Sequence, residues 1–354
     1  MPDKLKTILL QLAKPIGTVA AALVIGMLLI LPTGTPPLHA YKELFLGAFG
    51  SKAAILNTLA RSTPILFTGL SAAFAFKAGV FNIGIEGQLY MGAFSSALMG
   101  IYGAALPKII LIPLCLIAAM AGGLLWSLVP GLLNTRYRIN IVVISIMMNN
   151  TAQLLTSYLA SYPFKGELPF GATYRVGDHA VLPRFYTNSE LNLGFVIAIL
   201  LALALWFILF RTKFGYESRA FGLNHRFTRY MGVNLNKKTL AVLFISAMIA
   251  GLAGAEQVLG INYRFMSDFS DGYGFTGISV ALLGGLNPLG VVAGALFFGA
   301  LNNGAIQMEI MTNISRDLIS ALQAIMILLL AARELVGFKK SRRSPKGGGE
   351  VETA

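Results

Sequence analysis

Two carboxyl groups stand where hydrocarbon is expected: Glu86 and Glu256 lie in, or at the edge of, long apolar runs. An ionised side chain at the centre of a membrane helix costs about 2.5–3.5 kcal/mol on insertion scales, so each needs a cavity or a partner. Such groups can bind a coupling ion, pass a proton or contact a polar solute. Lys77 is one candidate partner for Glu86. Amides form a second set. Asn149, Asn150 and Gln153 share one apolar run, and i, i+4 spacing puts Asn149 and Gln153 on one helix face. Asn302, Asn303 and Gln307 share another. Amides donate and accept without charge, which suits a neutral, hydroxyl-rich or heterocyclic solute; they also serve as glue between helices. The pathway candidates are Asn82, Glu86, Gln88, Asn149, Gln153 and Glu256.

Irregular stretches would position these groups. Lys77-Ala78-Gly79-Val80-Phe81-Asn82-Ile83-Gly84-Ile85-Glu86-Gly87-Gln88 joins two apolar runs and is rich in glycine and polar side chains. It reads either as a tight turn at the membrane surface or as a broken helix. Irregular backbone at membrane depth survives only against protein or a water-filled cavity, and such breaks mark solute sites in transporters. Gly284-Gly285-Leu286-Asn287-Pro288-Leu289-Gly290 reads as a tight reversal. In the basic loop Arg211–Lys238, Phe221, Phe227, Tyr230 and Met231 interleave with Arg219, Arg226 and Arg229. Aromatic, Met and Arg residues are enriched at protein interfaces, so this loop is the candidate docking surface.

Enzyme chemistry finds no support. The sequence has no G-x-x-x-x-G-K-[ST] phosphate loop, no H-E-x-x-H and no G-x-S-x-G. One cysteine and three scattered histidines offer no metal cluster, and no cofactor is expected.

The framework is an all-α, polytopic transmembrane bundle. Of 354 residues, 56% are hydrophobic and 12% charged, with mean hydropathy +0.70, far below the roughly 25% charge of soluble domains. Spans of roughly 20 apolar residues fit at Pro15–Leu31, Leu59–Phe76, Ile83–Ala105, Ile109–Pro130, Ile141–Leu159, Leu193–Phe210, Thr239–Leu259, Thr276–Leu286, Val291–Gln307 and Leu318–Leu335. That is about ten spans, some short or broken. The first reads as a retained span rather than a cleaved signal, because it is long and no A-x-A site follows. With both termini cytoplasmic, 19 of the 28 Lys and Arg fall inside, as the positive-inside rule asks. This accounts for the net charge of +13 without nucleic acid. Residues 1–340 form the transmembrane domain, and 341–354 a disordered cytoplasmic tail. Ile117-x-Ala119-Met120-x-x-Gly123-Leu124 recurs as Ile245-x-Ala247-Met248-x-x-Gly251-Leu252 on a span of opposite direction, a candidate inverted repeat.

Three stretches carry a resemblance to the permease family of sugar, nucleoside and branched-chain amino acid ABC importers. Phe81-Asn82-Ile83-Gly84-Ile85-Glu86-Gly87-Gln88 followed by Met91-Gly92-Ala93 looks most like the nucleoside branch. Ala281-Leu282-Leu283-Gly284-Gly285-Leu286-Asn287-Pro288-Leu289-Gly290 is similar across the family. The third is Gly215-x-x-x-Arg219-Ala220-x-Gly222-x-Asn224, ending in Tyr230-Met231-Gly232-Val233-Asn234. The family often has small residues after that Asn, where this chain has His225, Arg226, Phe227 and Thr228. The resemblance spans about residues 55 to 335 and implies a division of labour. This chain and a second, related permease would form the pathway in the lipid of the inner membrane. A separate ATPase subunit would hydrolyse ATP. An extracytoplasmic solute-binding protein or lipoprotein would deliver solute. Gly215, Arg219, Ala220, Phe221, Gly222, Asn224 and Gly232 would belong to the loop coupling to the ATPase. The expected function is nucleoside import by a non-enzymatic subunit. Ribose or another simple sugar is the nearest rival solute. An ion-coupled secondary transporter using Glu86 and Glu256 is the rival from another class.

Overall fold

The computed structural model describes residues 24–312 and scattered positions from 314 to 325. The expected last span, Leu318–Leu335, lies mostly outside the described residues; so do the first half of the expected span Pro15–Leu31 and the whole tail 341–354. The chain divides into two compact units, Met1–Lys42 with Met308–Ala354, and Glu43–Gln307. In the first, residues 24–30 are helical and run into the 3-10 turn Leu31–Thr33. Gly34, in the left-handed region at φ 78°, closes that turn.

The second unit holds nearly all the packing. Its helices are α1 (Pro37–Phe49, begun in the first unit), α2 (Lys52–Lys77), α3 (Ile85–Tyr102), α4 (Lys108–Tyr137), α5 (Ile141–Ser161) and α6 (Leu193–Arg211). Then follow α7 (Lys213–Leu223), α8 (His225–Tyr230), α9 (Leu235–Glu256), α10 (Tyr273–Leu283) and α11 (Pro288–Thr312). α9 continues as a π-helix, Gln257–Asn262. Among the described residues five helices are long and apolar enough to cross a membrane: α2, α4, α6, α9 with its extension, and α11. α10 is a half-length apolar helix of 11 residues, so broken spans do occur.

α2 is the central post. Every residue from Ser62 to Phe76 is buried. Its hydroxyls turn back onto its own carbonyls around Pro64: Ser62 donates to Thr58 O, Thr63 to Leu59 O and Thr68 to Pro64 O.

Small residues let α3, α4 and α9 meet backbone to backbone. A Cβ on Gly251 would stand 2.2 Å from Ala119 O, and one on Gly123 would stand 2.3 Å from Ala247 O. These four residues are positions three and seven of the repeated motif. Position three of each copy meets position seven of the other, so the two copies pack antiparallel, face to face, as an inverted pair requires.

The segment 162–192, between α5 and α6, is tied down by backbone bonds to the rest of the unit. Val176 N donates to Tyr263 O, Leu182 N to Leu259 O and Gly177 N to Gly100 O. Ala172, Thr173 and Ala180 are fully buried.

Candidate functional site

Two breaks in the helical framework meet inside the second unit. The first follows α2. Gly79, at φ 71°, turns the chain, and residues 78–84 run as non-helical backbone before α3 begins at Ile85. Asn82 is fully buried there and acts as the hub. Its Nδ2 donates to Gln88 Oε1 and to Ser246 Oγ, both at 2.9 Å. Its Oδ1 accepts from Gly84 N at 3.0 Å and from Gln88 Nε2 at 3.2 Å. Ser246 is in turn bonded to Ser71 on α2. Asn149 joins from α5: its Oδ1 accepts from Gly87 N and its Nδ2 donates to Ile83 O, both at 2.9 Å. The stretch is therefore held from within by amide side chains around the buried Asn82 and Gly84, while Phe81 stays exposed at its outer side.

The second break follows the π-helix. Tyr263 takes the left-handed conformation at φ 56°, and the chain returns through residues 264–272 to start α10 at Tyr273. Here the two half-helix starts touch, since a Cβ on Gly274 would stand 2.6 Å from Glu86 N. The Glu86 carboxylate lies in the seam. Oε2 accepts from Gly274 N and Oε1 from Ser270 Oγ, each at 2.5 Å. Both helix starts present positive dipole ends and orphan N–H groups, which an anion satisfies. Tyr90, Phe265, Phe269 and Phe94 pack together beside this clasp, with ring centroids 4.9–6.4 Å apart. Lys77 is not the partner of Glu86, contrary to the sequence expectation. α2 ends at Lys77, and Glu86 bonds instead to the start of α10, a contact 188 residues away in sequence.

Glu256, at the end of α9, is buried at 1% exposure. Oε1 accepts from Asn192 Nδ2 and Oε2 from Gln257 Nε2, both at 2.9 Å. Asn192 also caps α6 through Gly194 N at 2.8 Å. Hence Asn82, Gln88, Glu86 and Glu256 hold the breaks and helix ends in place. Gln153 is partly exposed, with its Nε2 2.6 Å from Asp268 Oδ1. Its neighbours Asn150 and Thr151 are exposed on α5, in line with Met147, Leu154 and Tyr158. By contrast α6, up to its terminal Arg211, exposes only apolar residues, Val196, Leu200, Leu203 and Phe207 among them.

The basic loop folds as α7 and α8 against the first break. A Cβ on Gly222 would stand 2.5 Å from Lys77 O, and one on Gly79 would stand 3.0 Å from Gly222 Cα. Gly215 is held as closely under Ile208 O and donates its N–H to Thr212 Oγ1 at 3.2 Å. Ala220 O accepts from Asn224 N, and Asn224 Oδ1 caps α8 through Phe227 N at 3.0 Å. Gly232, at φ 80°, ends the turn after α8. Each glycine of the G-x-x-x-R-A-x-G-x-N stretch thus has a steric reason.

The sequence matches, over residues 54–331, the family described as branched-chain amino acid transport system, permease component. This chain belongs to that permease family. The guanosine ABC transporter permease protein NupP of Bacillus subtilis is 35% identical over 95% of this chain and 98% of its own length. The glucose ABC transporter permease protein TsgB13 of Haloferax volcanii is 30% identical, covering 93% of this chain and 88% of the relative. NupQ, a second guanosine permease protein of Bacillus subtilis, is 30% identical over 82% of this chain and 93% of its own length. With its long apolar helices, the permease is a multi-pass membrane protein.

Two features of this permease depart from its sequence reading. Phe221 is 1% exposed and packs on the His225 ring at 4.3 Å. It anchors the basic loop from within and does not face a docking partner. The loop's outer surface carries Tyr216, Leu223, Phe227, Tyr230 and Met231 beside the exposed basic residues Arg226 and Arg229. Ser270, which completes the Glu86 clasp, escapes sequence reasoning, because a serine in a polar loop carries no signal of a contact so far along the chain.

Proposed function

We propose that this permease is the membrane subunit of an ATP-driven importer and that its solute is a nucleoside. The observation that carries the reading is near-full-length similarity to a guanosine permease, in a chain whose nucleoside-like motif, residues 81–88, builds the first break. A separate ATPase subunit supplies the driving force and docks on α7–α8. A second, related permease completes the pathway. In support, two guanosine permeases of one organism, NupP and NupQ, both resemble this chain. An extracytoplasmic binding protein delivers solute to the ordered segment 162–192. Residues 1–340 act as one permease domain, with both termini cytoplasmic and 341–354 as a tail.

The pathway runs along α5. Exposed Asn150 and Thr151 with half-exposed Gln153 are costly against lipid and well suited to a solute that needs donors and acceptors. The buried Asn82, Glu86, Gln88, Asn149 and Glu256 shape that pathway by fixing the breaks. Similarity to a glucose permease keeps a simple sugar as the second reading. Uptake into vesicles containing this chain, its partner permease and the ATPase separates the readings. ATP-dependent accumulation of guanosine or uridine is expected. Accumulation of glucose or ribose alone would replace the solute. Ion-driven uptake by this chain without an ATPase would overturn the importer itself.

A further inference from the structure

Lys77 ends α2, and Arg219 lies on α7, one helical turn before the Gly222 backbone that presses on Lys77 O. Both side chains are half-buried, and the elements that carry them touch where Gly222 meets Lys77 O. Among the described residues three ion pairs form, Arg61–Glu190, Arg175–Asp178 and Lys238–Glu217, and neither Lys77 nor Arg219 is in one. Arg219 Nε is buried without a hydrogen-bond partner. Its guanidinium rests on the Phe210 ring at 5.2 Å, which fixes its plane and leaves donors unused. Glu217, the carboxylate nearest in sequence, is taken by Lys238 Nζ at 3.1 Å. Two cations drawn together from separate elements, partly out of water and without a counter-charge, raise the free energy of the isolated chain.

We propose that this notch receives an acidic side chain of the ATPase subunit, an inference that rests on the importer reading above. A carboxylate matches the planar fork of Arg and can reach an ammonium beside it. A protein, not a lipid phosphate, is the occupant because Tyr216, Leu223, Phe227 and Tyr230 are exposed on α7 and α8, the helix of Arg219 and the one after it, and aromatic residues with Arg are characteristic of protein interfaces. The contact would enter at Lys77 and Gly79, the residues from which the first break starts, so movement of the ATPase would act on that break directly.

The test uses the full complex in detergent. A water-soluble carbodiimide, which joins a lysine amine to a touching carboxylate without a spacer, should crosslink the permease to the ATPase through Lys77. Lys77→Arg should keep the ATPase bound and lose the crosslink. Lys77→Glu and Arg219→Glu should each lower ATPase retention at least about thirtyfold, as expected when a buried interfacial charge pair is broken, while retaining the second permease as a sign of folding. Equal ATPase retention by Lys77→Glu and the unaltered chain would overturn the proposal. So would a crosslink that maps elsewhere, or retention that follows the anionic lipid content of the preparation. If the unaltered chain retains no ATPase at all, the importer reading falls first, and the notch falls with it.

Discussion

Substituting Glu86 separates a structural clasp from a solute or ion site. In Glu86→Ala, two short bonds to a carboxylate disappear, from Ser270 Oγ and Gly274 N. Hydrogen bonds to charged groups contribute about 1.5–3 kcal/mol each, which places the loss at about 3 kcal/mol or more. The Gly274 N–H has no second acceptor, because it belongs to the first turn of α10, where helical partners are lacking. Glu86→Gln behaves differently. Its carbonyl can still accept from Gly274, and its amide can donate to Ser270 Oγ, whose hydroxyl is free to rotate. Only the charge facing two helix starts is lost, about 1 kcal/mol. At roughly 2–4 °C per kcal/mol, thermal melting in detergent should fall by about 6–12 °C for Ala and about 2–4 °C for Gln. Transport by Glu86→Gln should survive. Equal melting of all three proteins would refute the clasp. A fully stable but inactive Glu86→Gln would show that the carboxylate serves an ion or the solute.

Gly251→Ala places a methyl 2.2 Å from Ala119 O in a contact that only backbone can fill; overpacking costs about 1–3 kcal/mol, and the protein should melt earlier, while unchanged melting would remove the tight crossing. Asn82→Ala orphans Gly84 N and the Gln88 amide and removes one bond of Ser246 and should cost about 1–3 kcal/mol, whereas Asn150→Ala, exposed on α5, should leave melting alone and weaken solute uptake. The reverse pattern in paired melting and uptake measurements would exchange their roles.

Apolarity along the chain locates spans, because hydrocarbon tolerates little else, and the breaks at 78–84 and 284–287 announce themselves through glycine. The repeat was legible too, since small residues four apart survive in both copies. Burial was not. α2 is the least apolar of the five span-length helices and the most enclosed, while α6, the most apolar, lies largely open. Lipid selects for hydrophobicity more strictly than a packed interior does, so a hydropathy pattern reads the outside of a membrane bundle and is nearly blind to its centre. For the same reason Asn82 and Gln88 read as groups facing a solute. Their neighbours are Ser246 and Ser71, and sequence separation hides such partners. Phe221 is the converse case: an aromatic in a basic loop suggests an interface, yet the ring fills the space beneath it.

The antiparallel crossing of α4 and α9 has a mechanical meaning. Side chains that interlock resist rotation, because ridges must climb over one another, but Ala119, Gly123, Ala247 and Gly251 meet with almost no side chain between them. A contact this bare presents few ridges to climb, so it would let α4 and α9 pivot on one another at low steric cost.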